Sequence, residues 1–160
     1  MGRFPRWEKF SGIGMSSGLN IDSYGSPVAN YVSAVQTGNL VFLAGHGPRR
    51  RDGTFVTGRL GDDLSVEEGY EASKITAIRM IITLKVFLGE LSRVHRIVDM
   101  TGMVAATSDF GDHPKVIDGA SDLLVEVFGE KGRHARAAIG MGSLPFNTPV
   151  EFKMVVEVTD

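Results

Sequence analysis

The stretch from residue 150 to 158, VEFKMVVEV, alternates with a regularity that constrains everything else the chain can do. Val150, Phe152, Met154, Val156 and Val158 recur at every second position, with Glu151, Lys153 and Glu157 between them. A period of two belongs to a β-strand, whose successive side chains leave opposite faces. One face of this strand is apolar and must be covered, so the chain has to supply a surface to lay on it.

Two segments supply that surface. Ser65 followed by Glu68 resembles a capping box opening a long helix. Behind it Ile75, Ile78, Ile82 and Val86, with Ala77, Ile81, Leu84 and Leu88, form an apolar stripe at helical spacing, and Gly89 closes the helix. Asp112 and Pro114 suggest the cap and first position of a second helix, with Val116, Ala120, Leu123, Leu124 and Val127 on its buried face and Gly129 at its end. The remaining apolar runs read as strands. YVSAVQ (31–36) and LVFLAG (40–45), joined by TGN, form a hairpin. HRIVDMTGMVAAT (95–107) is a long strand, and two more, at about 134–141 and 149–158, close the chain. The predicted order is β-β-α-β-α-β-β, an α+β domain with two helices packed on one face of a mixed sheet.

The 160 residues suit one domain. Residues 29–160 read as that domain, and the Gly- and Ser-rich residues 1–28 as an N-terminal arm. GIGMSSG (12–18) follows no strand and lacks dinucleotide spacing, so a phosphate loop is not supported there. RRRDGTFVTGRLGDD (49–63) reads as a polar loop, with its three arginines in a solvated turn. Cysteine is absent, which excludes thiol nucleophiles, disulfides and thiolate metal sites and suits a reducing cytosol. A net charge of −2 exerts no global pull toward nucleic acid or membrane. No apolar run approaches the roughly 20 residues that span a bilayer, and the start, MGRFPRWEKF, has no apolar core of a secretory signal. No His-Glu-x-x-His or other metal spacing links His46, His95, His113 and His134, so no metal is expected. No G-x-S-x-G elbow supports serine hydrolase chemistry.

Charges inside the last two strands call for a reason. Alternation puts Ala135, Ala137, Ile139 and Met141 on one face of the first and His134, Arg136, Ala138 and Gly140 on the other. With helices over the apolar faces, Arg136 and Glu151 are expected together on the opposite, open face, flanked by small residues. A guanidinium fork there matches a carboxylate, and Glu151, ionised beside it, could hold a water or take a proton. An ordinary ion pair on a sheet face accounts for the same residues. Apolar Leu40, Phe42 and Val104 are expected on that open face, which then needs a partner.

Three stretches resemble the RidA/YjgF family, also called the endoribonuclease L-PSP family: NYVSAVQTGNLVFLAGHGP, GRLGDDLSVEEGYEAS, and DFGDHPKVIDGASDLLVEVFGEKGRHARAAIGMGSLPFNTPVEFKMVVEV. The nearer likeness is to its bacterial branch with slightly longer chains, and it covers about residues 29–158. The resemblance implies a chorismate-mutase-like fold and a homotrimer with clefts between subunits. It also implies cofactor-free hydrolysis of reactive enamines and imines, such as 2-aminoacrylate, to 2-keto acids and ammonia. Arg136 falls at the position that holds the substrate carboxylate, Glu151 at the one that orients the attacking water, and Tyr31 at the cleft tyrosine contributed across the boundary. The chain departs from the pattern at Ala44, where the family has serine, and at Ala138, where it has a small polar or thiol residue. His46 replaces a glutamine common in RidA itself. The cleft asparagine has no clear counterpart, with Asp118 and Ser121 as candidates.

Of the other candidates, His134 shares a face with Arg136 and either lines the cleft or hydrogen-bonds at a strand end. His46 poses the same choice. His95 reads as solvated surface, His113 as turn geometry, and Phe146 as packing. Three functions follow. The first is an imine/enamine deaminase. The second is a non-catalytic binder of small carboxylates or a protein-interaction trimer. The third is a ribonuclease, for which Arg49, Arg50, Arg51 and Arg133 give basic surface but no aromatic stacking platform is evident.

Overall fold

The structure is a computed structural model and describes residues 29–160. The arm assigned to residues 1–28, GIGMSSG included, lies outside the described residues. Five strands and two helices follow the expected order: β1 (Ala34–Thr37), β2 (Leu40–His46), α1 (Val66–Leu88), β3 (Val94–Ala105), α2 (His113–Phe128), β4 (Ala135–Met141) and β5 (Val150–Val158). They form one sheet of order β1-β2-β5-β3-β4. β4 runs parallel to β3, and every other pair is antiparallel. Both helices lie on one face, giving the α+β architecture expected. None of the described helices is long and apolar enough to cross a membrane.

The alternating strand β5 is central, and Val150, Phe152, Met154, Val156 and Val158 are all buried under the helices. Opposite them, α2 buries Val116, Ile117, Ala120, Leu123, Leu124 and Val127, as its spacing predicts. α1 opens with the expected capping box, Ser65 Oγ accepting from Glu68 N at 3.2 Å and Glu68 Oε2 from Ser65 N at 2.9 Å. Its buried stripe matches the expected one at Ala77, Ile81, Ile82, Leu84 and Leu88 and is wider toward Ala72, Ser73, Thr76 and Met80, while Ile75 and Ile78 are only partly buried and Val86 is exposed. The small residues of its first turns suit a close helix pair. At the crossing, a Cβ added to Gly119 of α2 would collide with the backbone carbonyl of Tyr70 on α1.

Three details differ from expectation. Asp112 precedes α2 without capping it, its carboxylate pairing with Lys115 at 2.9 Å instead. Tyr31 to Ser33 lie before β1 rather than in it. The 49–63 excursion is anchored rather than loose. Leu60 is fully buried, its N–H donates to Ala105 O at 2.9 Å, and its carbonyl accepts from Thr107 N at 3.0 Å.

Register places every side chain of the last two strands. Met100, Gly102 and Val104 of β3 face the helices: Met100 and Val104 are fully buried, and Ile117 of α2 packs on Gly102. Arg136 pairs with Met100 and Ala138 with Gly102, so both point to the helix side. Glu151 pairs with Met103, one position out of phase, and points to the open side. The expectation that Arg136 and Glu151 share the open face is therefore corrected. β4 is an edge strand, and there α2 offers polar Asp118 and Ser121 instead of core. Polarity no longer distinguishes inside from outside, and Ile139 and Met141 stand exposed on the open face. Val104 is likewise on the helix side, whereas Phe42 is exposed on the open face as expected.

The contact of Gly119 with backbone leaves nothing flexible to yield. Gly119→Ala is expected to destabilise the fold by about 2 kcal/mol or more, read as a lower urea midpoint at unchanged m-value.

Candidate functional site

The arginine half of the site stands on β4 and α2. Arg136 Nη1 donates to Asp118 Oδ1 at 2.8 Å and to Ser121 Oγ at 2.9 Å, and Nη2 reaches the Pro114 carbonyl at 3.4 Å. Asp118 and Ser121 sit one helical turn apart on α2, so both meet the same guanidinium. His134 extends the line. Its Nδ1 faces the Gly132 carbonyl at 2.6 Å, and a carbonyl only accepts, so Nδ1 carries the proton. Nε2 is then the acceptor for the Ser121 hydroxyl at 3.1 Å. The chain Gly132–His134–Ser121–Arg136 is thus directional. With Asp118 and the Pro114 carbonyl, it engages three of the five guanidinium N–H groups among the described residues, leaving Nε–H and one Nη2–H. Ala138 lies two residues on, on the same face of β4.

The glutamate half lies on the other side of the sheet, where β2 ends and β5 begins. Glu151 lines a recess of about 340 Å³ together with Tyr31, Ala44, Gly45 and His46. A β-bulge in β2 between Leu43 and His46 makes room for the carboxylate. A Cβ at Gly45 would overlap Glu151 Oε1, so any other residue there would push the carboxylate end of this flexible side chain aside. Burial pushes the Glu151 carboxyl above the usual carboxylate range.

His46 backs this recess rather than offering a reactive ring. It is buried toward α1, with Nδ1 against Ala44 O at 2.8 Å and Nε2 against Thr83 Oγ1 at 2.8 Å. Burial lowers its pKa from 6.5 to about 4, outweighing the hydrogen bond to Ala44, with the nearby Arg79 charge adding to the fall. The ring is neutral at ordinary pH, and both nitrogens are committed to holding the bulge. Arg79 Nη1 donates to Gly47 O at 3.0 Å and secures the segment after it.

The structure thus brings the expected residues together in two groups. Arg136, Ser121, His134, Asp118 and Ala138 form one; Tyr31, Ala44, His46 and Glu151 form the other. The notion of Glu151 ionised beside Arg136 does not hold within one chain, since Asp118 is the carboxylate next to the guanidinium. Sequence reasoning placed Arg49 only in a basic, solvated turn and did not single out Phe55 or Arg79, yet all three line the glutamate recess. It also missed an aromatic platform, because Phe55 and Phe146 stack with centroids 5.0 Å apart and planes 6° from parallel. No local pattern marks that pair, since they meet only when the 49–63 excursion folds back toward the loop before β5. Among the described residues, no three His, Cys, Asp or Glu side chains cluster as a metal site would require.

This geometry has relatives. Residues 13–158 match the family described as "YjgF/chorismate mutase-like, putative endoribonuclease". The chain belongs to this family. The matched span begins well before residue 29, where the likeness noted in the sequence starts. Protein TCP17 of Trypanosoma cruzi is 38% identical over 144 residues, 89% of this chain and 90% of that protein. Among solved structures, the family fold is shared with Atu1372 of Agrobacterium tumefaciens, a protein of unknown function, at 37% identity and TM-score 0.83, over 96% of this chain and 92% of that one. A protein from Shewanella oneidensis MR-1, described as a putative endoribonuclease, superposes with TM-score 0.87 at 31% identity, over 97% of this chain and 100% of that one.

The buried His46 makes stability depend on pH in a defined direction. Between pH 6.5 and about 4 the unfolded chain binds a proton that the folded chain refuses, so stability is full above that window and falls as pH drops through it, by on the order of 3 kcal/mol. Denaturant midpoints measured across this range should fall more steeply for wild type than for His46→Gln, whose side chain does not titrate.

Proposed function

We propose that this chain is a cofactor-free hydrolase of 2-imino acids and their enamine tautomers, acting in a trimer whose clefts join the arginine half of one copy to the glutamate half of the next. The observation that carries this reading is the opposed placement of Arg136 and Glu151 on the two sides of one sheet. A single small ligand reaches both only if two copies contribute. The exposed apolar open face, with Phe42, Ile139 and Met141, supports association of copies.

In the assembled cleft, Arg136 takes the ligand carboxylate with its remaining N–H groups. Asp118 and Ser121 hold its orientation in advance, so little side-chain freedom is lost on binding. A water on Glu151 gives up a proton as its oxygen bonds to the imine carbon. The C=N π pair moves to nitrogen, which is protonated, giving a carbinolamine. The hydroxyl then loses its proton as the C–N bond breaks, so that a 2-keto acid and ammonia leave. Desolvation makes Glu151 a stronger base than an exposed carboxylate, suited to the first proton transfer. The imine carbon is already electrophilic, so positioning supplies most of the acceleration. A ribonuclease reading, which the family description carries, finds less support. It needs an acid/base pair at one phosphate, and in this recess His46 is neutral with both ring nitrogens engaged.

Arg136→Ala and Glu151→Gln should each abolish turnover of imines generated in situ by an amino-acid oxidase. Mixing the two inactive variants, unfolded and refolded together, should restore about a quarter of wild-type activity, since in a cyclic trimer one cleft in four pairs an intact arginine with an intact glutamate. A site built within one chain would show no recovery. Glu151→Gln should also melt no lower than wild type at neutral pH. A carboxyl whose folded pKa is raised stabilises below its unfolded value near 4.5 and loses that contribution as pH rises, so the advantage of the glutamine should grow from pH 4 to 7.

A further inference from the structure

The loop between β4 and β5 holds an aromatic residue under backbone strain without burying it. Phe146 has φ 59° and Asn147 φ 56°, in the left-handed region that side chains with a Cβ disfavour. Phe146 is nevertheless 65% exposed, so core packing does not offset the strain. Strained residues of this kind concentrate where a ligand is met.

The ring is braced from behind. Phe55 stacks against it, and the Arg49 guanidinium lies 5.8 Å from the Phe55 centroid. Arg49 is itself tied down by a 2.8 Å hydrogen bond from Nε to Gly53 O. Phe146 is therefore a positioned flat wall with open surface. It lines the same recess as Glu151, and Tyr31, also exposed, lines that recess too. The recess, at about 340 Å³, is of the size that takes a whole small ligand and exceeds what the methylene of 2-aminoacrylate would fill.

We infer that the Phe146–Phe55 wall selects the substrate's side chain, favouring 2-imino acids with a large planar apolar group over the smallest members of the class. The inference rests on the reading of Glu151 as the group that holds the attacking water. A ring held offset against Phe146 gains contact area and the edge-and-face attraction of aromatic pairs, neither of which a methyl group obtains.

The test compares imines formed in situ from phenylalanine and from alanine by an amino-acid oxidase, with semicarbazide trapping as the readout. Wild type should show kcat/KM about 10-fold higher for the phenylalanine-derived imine. In Phe146→Ala that ratio should fall toward one, through KM for the aromatic substrate, and Phe146→Tyr should restore it. Equal rates in wild type, or a loss in Phe146→Ala that is the same for both substrates, would overturn the inference and leave imine hydrolysis standing. Absence of hydrolysis for both substrates would instead remove the hydrolase reading, and binding then decides the role of the wall. A larger Tm rise with phenylpyruvate than with pyruvate, abolished in Phe146→Ala, supports it; equal shifts, or none, overturn it.

Discussion

A strand sends alternate side chains to opposite sides, and in this sheet only one side is covered. The proposed function depends on that. Met100 and Met103 of β3 lie three residues apart, an odd interval, and their partners in β4 and β5 are Arg136 and Glu151. The guanidinium is sent beneath the helix layer and the carboxylate to the bare face. The two ionisable anchors of the last strands are thereby separated by the thickness of the sheet, and each builds its own surroundings.

Each half is steadied from behind by one helix through polar contacts rather than packing. α2 steadies the arginine through Asp118 and the Ser121–His134 line. α1 steadies the glutamate recess through Thr83 and His46, and through Arg79 on the carbonyl of Gly47. Individual bonds of this kind contribute about 1 kcal/mol net, and the half-exposed Arg136–Asp118 pair no more than that. Their effect is mainly geometric. The half-buried Glu151 works against stability, as expected where a site needs a carboxylate that water does not fully solvate.

Most of the fold was legible because the strongest signals were periodic. The alternation of β5, the stripe of α2 and the Ser65–Glu68 cap each survived to within a residue or two. The alternation of β4 was equally legible, yet its side was not. On an edge strand the apolar set, Ile139 and Met141, awaits a partner copy in our reading, while the polar set meets a helix, so the usual equation of apolar with inside inverts. The extension of the α1 stripe to Ala72, Ser73 and Thr76 was hidden because close crossing with α2 at Gly119 depends on tertiary contact. The bulge at Gly45 and the meeting of Phe55 with Phe146 were hidden too. Both arise from backbone irregularity and long-range folding that no short window of residues encodes. Of the candidate site, Arg136 and Glu151 could be named from the sequence, but their placement on opposite sides of the sheet could not.

The topology also sets how firmly each half is held. β5 is hydrogen-bonded on both edges, to β2 and β3, and Glu151, near its start, pairs with Met103 of β3 beside the bulge in β2. β4 pairs with β3 alone, in the parallel arrangement that needs all of α2 as its crossover. Closing such a long connection comes at a cost in chain entropy that local hairpins avoid, and peripheral strands open at lower free energy than central ones. On this ground the central strand β5 is expected to open less readily than the edge strand β4. In the proposed reading, grip on a ligand carboxylate would be the property most sensitive to warming, denaturant or loss of neighbouring copies.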